Sequence, residues 1–467
     1  MDVSVRGVSL RPDDLQKFIT VLEEAGELSR VRCPVDPELE IATIINAVCK
    51  GRGGGQALLF ENVKGYPLPL AANLFGSPTR LALALGAGDL SDLSQRIHAD
   101  LAATGAKDAV LALKALVTGE QHQAVYADNA LCFGQEITDQ GLNALPALKS
   151  WPGDGGRYLT LGQVFTCHPE THLENCGMYR VQVVGRDRAL LRCHPGSGGA
   201  EHLAAWHARG EAMPVAIALG GPPIMTWLAG VALPGGVTES SFAGYLNGRS
   251  LLMGRCQDSR LPVPAASEVV IEGRILPGEE LLEGPFGNHT GRYIPAAPAP
   301  VIRVEKVSMR EGAVYPCTLV GPPPMENIHL AQLTTRILLP LLQFDHPWIH
   351  GLHMPPESIF HRAAMIAVAA DCGLSGEEIS KALWSSALLK NSRLLLLLDS
   401  DVALRDPDQV YWRVINTFAW PALHRIVGDK VVLDARTPRG GRRVAPAEEV
   451  AEKVQRRWQE YGLIERP

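Results

Sequence analysis

YRVQVVGRDRALLRC, residues 179–193, reads as two strands folded about a turn. Tyr179–Val184 and Ala189–Cys193 are rich in β-branched and apolar side chains, and Gly185-Arg186-Asp187-Arg188 between them is a hairpin connection. Outward from this hairpin, Val215–Ala218, Ile224–Val231, Val269–Ile275 and Val301–Val307 read as further short strands between Gly/Pro turns. That spacing predicts a sheet or barrel domain over residues 116–310. Helix and strand alternate on either side of it. Pro12, Asp13 and Asp14 open a first helix whose apolar face is Leu15, Phe18, Ile19 and Leu22, with Gly26 closing it. A second helix is expected from Pro37 to Val48 and a buried strand at Ala57–Phe60, giving a small α/β domain over 1–115. After Pro324, His329–Gln343, Phe360–Ala370 and Glu377–Leu389 have helical period. Leu394–Leu398, followed by Asp399 and Asp401, reads as a buried parallel strand, so 311–467 is expected to be a second α/β domain.

Composition narrows the class. The chain has 467 residues, 46% apolar and 20% charged, the make-up of a soluble globular protein. A net charge of -6 argues against a nucleic-acid partner, and the Arg439–Arg443 cluster is too short to reverse that. Nine dispersed cysteines without a CxxC point to free thiols in a reducing compartment. There is no signal-peptide pattern at the N-terminus and no apolar run long enough for a membrane span, so the cytoplasm is the expected location.

Three clusters could carry chemistry. ENCGMYR, Glu174–Arg180, offers the Asn175 amide oxygen to a hard cation and the Arg180 guanidinium to a carboxylate or phosphate, although a strand arginine is more often a surface residue. RCHPGSGGAEH, Arg192–His202, runs a strand into Gly196, Ser197, Gly198 and Gly199. The backbone N–H groups there suit a phosphate, or form a plain flexible turn. EGPFGNHTG, Glu283–Gly291, is barred by its Gly and Pro from a regular helix or central strand, so it is a shaped loop holding an acid close to an Asn-His pair. Glu239, in VTESSFAG, is a fourth candidate without a local signal. There is no Walker motif, HExxH or GxSxG, and GAGDL at Gly86 lacks the dinucleotide spacing. The residues by themselves support an enzyme with a sheet-rich central domain and an Arg/Glu site.

Taken together, the clusters resemble the UbiD family of reversible decarboxylases, which use prenylated FMN. The resemblance runs from LRPDDLQKFITVLEEAGELSRV through NCGMYRVQVVG and EGPFGNHTGRY to PPMENIHLAQLTTRILLPLL and LLLLLDSDVALRDPDQVYW. It implies an N-terminal α/β domain, a flavin-reductase-like split β-barrel and a C-terminal α/β domain that lines the substrate pocket and helps build a homodimer or homohexamer. It also implies a divalent metal, Mn²⁺, on Asn175 and Glu239, with His194 as a third ligand, bridging to the cofactor phosphate. A K⁺ ion held by backbone carbonyls of Leu228–Val231 is implied beside it. Met178, Tyr179, Arg180, Arg192, Cys193, His194, Ser197 and Gly198 fall at flavin-contacting positions. Arg393 stands where the family carries a lysine.

The family's catalytic trio is Glu-Arg-Glu or Glu-Arg-Asp. Arg180 and Glu283 fill two roles, and Asn288 stands in place of the last acid. An amide cannot act as a general acid, so His289 or a water held by Asn288 is left to deliver the proton, with His289 titrating near ~6.5 if unperturbed. Arg180 is expected to grip the substrate carboxylate as a bidentate pair. The cofactor's azomethine ylide would act as the electron sink. The reading is thus a carboxy-lyase acting on an aromatic, heteroaromatic or α,β-unsaturated acid, supplied with cofactor by a flavin prenyltransferase. The alternatives are an ordinary FMN oxidoreductase on the same barrel and a non-catalytic subunit of a carboxylase complex.

Overall fold

Asp14 caps the first helix, Leu15–Glu24, its carboxylate accepting from the Lys17 N–H at 2.8 Å. Leu15, Phe18, Ile19 and Leu22 form the buried face. The computed structural model describes residues 11–358, 362–417, 424–437, 444 and 446–462, so the Arg439–Arg443 cluster lies outside it. The second helix forms over Glu40–Cys49. The buried Ala57–Phe60 strand pairs parallel with Leu28–Val31 and antiparallel with Leu70–Ala72. A fourth strand, Tyr315–Cys317, returns from far along the chain to pair parallel with Leu70–Ala72.

The hairpin forms as Arg180–Val183 and Arg188–Arg192, paired antiparallel with Val183 opposite Ala189. It belongs to a nine-stranded sheet that curls into an antiparallel half-barrel. Two long strands make its spine. Ser267–Glu283 and Ala297–Met309 run side by side, and the first ends at the acid that opens the EGPFGNHTG loop. Glu174–Met178 is an edge strand, paired with Gln163–Cys167. The third sheet carries Ile349–His353, Ala363–Val368, Leu394–Asp399, Lys430–Asp434 and His424–Val427 in that order. Leu394–Asp399 lies between two parallel neighbours, as its apolar run requires.

Two expectations are corrected. Ile224–Val231 is not a strand: Pro223–Leu228 is a short helix with every residue buried. A continuous apolar run bounded by Gly and Pro has no period that separates a buried strand from a buried helix, and here two prolines start a helix. Conversely, Phe360–Ala370 is not helical. Ala363–Val368 is a strand, and Phe360 lies outside the described residues. Its alanines favour a helix in isolation, but parallel pairing with Leu394–Asp399 outweighs propensity. All nine cysteines are free thiols. Among the described residues no helix is long and apolar enough to cross a membrane.

Leu397 is completely buried in the central strand of the third sheet, whereas Leu394 at its start is exposed. Leu397→Ala should cost about 2–5 kcal/mol, seen as a lower urea midpoint for the C-terminal sheet, with Leu394→Ala close to the parent.

Candidate active site

The end of the 267–283 strand and the start of the hairpin meet across the sheet. Arg180 donates from Nε to Glu283 Oε1 at 2.9 Å and from Nη2 to Oε2 at 2.7 Å. The pair is bidentate and buried, with the two side chains 13% and 1% exposed. The guanidinium also lies 4.6 Å from the Phe286 ring centroid. Because Glu283 occupies the Nε–Nη2 edge, Arg180 has Nη1 left for a ligand. The expected bidentate grip on a substrate carboxylate is therefore already made, internally.

The loop is fastened on both sides. Gly284 N–H donates to Gln182 Oε1 at 2.8 Å, and Gln182 Nε2 donates to Gly155 O at 3.0 Å. Gly155 N–H donates to Pro285 O at 2.7 Å, and Gly287 N–H to Asp154 Oδ1 at 2.8 Å. A Cβ on Gly155 would sit 2.0 Å from Gly284 O, so only glycine allows this approach. Asn288 belongs to the turn: its Oδ1 accepts from Thr290 N–H at 2.9 Å and Thr290 Oγ1 at 2.6 Å. Its side-chain oxygen is spent on the loop's shape.

His289 lines a cavity of about 20 Å³ between Asn327, Ile328 and Ala331 on one side and Met354–Ser358 on the other. Burial, with Arg362 and His194 nearby, pushes its pKa down to about 4, not the ordinary value near 6.5. His194 is lowered too, by burial and then by Arg180, Arg192 and Arg362. His289 is therefore neutral at neutral pH.

A second cluster lies on the edge strand. Glu239 is the first residue of the Glu239–Asn247 helix and is buried. Its Oε2 accepts from Cys176 N–H at 3.1 Å, which places it beside Asn175. Burial and the neighbouring Glu174 raise the Glu239 pKa to about 7. Asn175 Nδ2 is buried without a hydrogen-bond partner. Since amide N and O are interchangeable on rotation, this can equally present an oxygen. A buried acid held back from ionising, beside an unsatisfied amide, fits a divalent cation taking oxygen ligands. Among the described residues no group of three His, Cys, Asp or Glu side chains is set to hold a metal, a count that leaves out the Asn175 amide. Ser197 caps the Gly198–Ala208 helix, and Gly198 packs directly on Asn175. Tyr179 uses its ring there structurally, wedged by Gly177 and Gly199, with its hydroxyl accepting from Gly199 N–H at 3.1 Å. Ala229 O accepts from Met178 N–H at 2.6 Å, which brings 228–231 to the same place.

Family models for the 3-octaprenyl-4-hydroxybenzoate carboxy-lyase match the chain in three consecutive pieces. The N-terminal domain matches residues 19–99, the Rift-related domain 123–323 and the C-terminal domain 328–445. The chain belongs to the UbiD family of carboxy-lyases. A protein of Archaeoglobus fulgidus, described as uncharacterized, is 35% identical over 87% of this chain and 84% of its own. Among solved UbiD-class structures, HmfF from Pelotomaculum thermopropionicum, as an evolved dimeric form in complex with prFMN, superposes with a TM-score of 0.78 at 26% identity, covering 94% of this chain and 98% of that one. The fold also matches vanillic acid decarboxylase of Sedimentibacter hydroxybenzoicus at 24% identity, over 96% of this chain and 99% of that one. The TM-score is 0.85 to its closed form and 0.75 to its open form.

Against this UbiD framework, one functional candidate was missed in the sequence. Arg362 shares the field of His194 and His289. Arg393, which stands where the family carries a lysine, pairs with Asp429 at 3.3 Å on the surface. The two are adjacent at the starts of parallel strands, Arg393 N–H donating to Arg362 O at 2.7 Å. Nothing in the local sequence distinguishes them.

A histidine whose folded pKa lies below its unfolded value binds more protons when unfolded. Its contribution to stability is complete above about 6.5 and is lost as pH falls toward the folded value near 4. Histidine-labelled NMR should show His289 titrating near 4, and His289→Asn should flatten part of the stability loss between those limits. A titration near the ordinary value would show that the imidazole is solvated.

Proposed function

We propose that the chain catalyses the reversible, non-oxidative decarboxylation of an aromatic, heteroaromatic or α,β-unsaturated acid with prenylated FMN. The observation that carries this reading is the buried, bidentate Arg180–Glu283 pair beside the loop that presents His289. When bound, prenylated FMN supplies the electron sink for the carbon that loses carbon dioxide. Asn175 and Glu239 would hold a divalent cation, Mn²⁺ suiting their oxygen donors, with K⁺ near the 228–231 carbonyls. Residues 116–310 would hold the cofactor, through Met178–Arg180, Arg192–His194, Ser197 and Gly198, and residues 311–467 would line the substrate pocket. His194 would be the third ligand of the divalent cation, and Arg362, next to Arg393, would take an anionic group.

Arg180 would orient the substrate carboxylate through Nη1 while Glu283 fixes its plane. The carbon must then receive a proton. His289 is neutral in the free protein because burial, and then Arg362 and His194, oppose its charge. A substrate anion between them offsets that opposition and draws the His289 pKa upward, so the proton is held only while substrate is bound. Asn288, committed to its turn, shapes the loop. The substrate would lie beside His289, between Asn327–Ala331 and Met354–Ser358. The exposed face of the Pro407–Thr417 helix, with Tyr411, Trp412 and Ile415, suits a homodimer or homohexamer contact.

The test is co-expression with a flavin prenyltransferase, followed by absorbance and mass of the bound cofactor and a hydrogen–deuterium exchange screen on arene and heteroarene acids. Arg180→Lys should lower turnover at least ~10²-fold, about 2.7 kcal/mol of barrier. Glu239→Ala should strip metal and cofactor together; full retention of both would remove the metal assignment. Recovery of unmodified FMN alone, with no exchange, would favour an FMN oxidoreductase.

A further inference from the structure

Away from this site, polar groups of two distant segments face one another in the interior without partners. Arg80, in the Pro78–Leu85 helix, is completely buried. Its Nη1 donates to Glu27 Oε2 at 2.9 Å and to Gly55 O at 2.7 Å, while Nε and Nη2 have no acceptor. Asn73 is also fully buried, and its Nδ2 donates to Gly54 O at 2.8 Å and Gln56 O at 2.9 Å. Those two bonds fix which end of the amide is oxygen, and Oδ1 is unpartnered. Asn73 Oδ1 and Arg80 Nη2 approach the same glycine: a Cβ on Gly76 would lie 2.0 Å from one and 2.5 Å from the other.

The facing segment is the first turn of the Glu326–Asp345 helix. Glu326 is 2% exposed. Its Oε2 accepts from Phe75 N–H at 3.0 Å, and Oε1 is unpartnered. Burial disfavours the charged carboxylate, and the Thr318 side chain, the Phe75 N–H and Arg80 favour it. His329 Nδ1 is buried and unpartnered as well, and its Nε2 lies 3.3 Å from where a Cβ on Gly54 would sit.

The chemistry of these atoms selects the occupant. A metal ion would suit the Asn73 and Glu326 oxygens but meet the Arg80 cation. A small anion would suit Arg80 but meet the same two oxygens. Only a molecule that accepts and donates satisfies all of them. One water can accept from Arg80 Nε–H and Nη2–H and donate to Asn73 Oδ1 and Glu326 Oε1. A second would take the remaining Nη2 hydrogen and His329 Nδ1. We propose that Asn73, Arg80, Glu326 and His329 enclose a buried hydration site that ties the N-terminal sheet to this helix. The linkage reaches the candidate cavity. At 100° per residue, Glu326 and His329 lie on the face opposite Asn327, Ile328 and Ala331, which line the cavity beside His289. Glu326 and Arg80 are thus positioning residues for the cavity wall.

A high-resolution crystal structure of the full chain tests the site. One or two ordered waters are expected within about 2.7–3.2 Å of Arg80, Asn73 and Glu326. A dry, direct Arg80–Glu326 ion pair, or anomalous density for an ion, would overturn it. Amide exchange on the same protein tests the linkage. Glu326→Leu should raise exchange over residues 327–331, whereas Glu326→Gln, which still hydrogen-bonds water, should restore the parent pattern. Equal acceleration in both variants, or in neither, would mean that the water does not hold the helix. If Glu326→Leu fails to fold, Arg80→Met read by the same exchange decides the point.

Discussion

A buried arginine–carboxylate pair is expensive to desolvate and is repaid only by near-ideal geometry. Arg180 and Glu283 meet that demand with two short bonds between two strands of one sheet. The requirement propagates. Gln182, two residues along the same strand, fastens the loop backbone, Asp154 and Gly155 fasten its far side, and Phe286 covers the guanidinium. Removing either charge would leave the other buried and uncompensated, so the strand, the loop and the 150–155 turn are held to one arrangement. His289 stands on the loop that this arrangement holds.

The charges around this pair are left unbalanced in opposite senses. Glu239 is a buried carboxylate whose ionisation is opposed by burial and Glu174. Burial, with Arg362 beside both, opposes the charging of His194 and His289. Folding alone does not call for this separation, since a structural ion pair would bring such groups together. An assembly carrying both a cation and an anionic group would complete both halves.

Much of this was legible because the signals were local. Asp14 and the 15–22 apolar face define a helix that nothing later contradicts, and the hairpin around Gly185 is marked by its turn residues. The Arg180 and Glu283 pairing came from the family resemblance, because 103 intervening positions leave no local trace. Pro223–Leu228 and Ala363–Val368 exchanged helix for strand in the reading because neither has a polar face, so the period that separates the two structures is missing. Arg362 was overlooked for the same kind of reason. Two arginines begin adjacent strands, and only the direction of approach to the site separates them.

The strand Tyr315–Cys317 closes the N-terminal sheet against Leu70–Ala72, and both strands are wholly buried. On a ribosome, the first hundred residues therefore emerge with an apolar sheet edge that stays uncovered until more than two hundred further residues have followed. Such an edge invites pairing with another nascent chain. Its closure must wait for the half-barrel between, so the order of synthesis and the order of assembly differ. A fragment ending before residue 315 would carry that open edge permanently, and the apparent independence of the N-terminal unit in sequence would not survive its isolation.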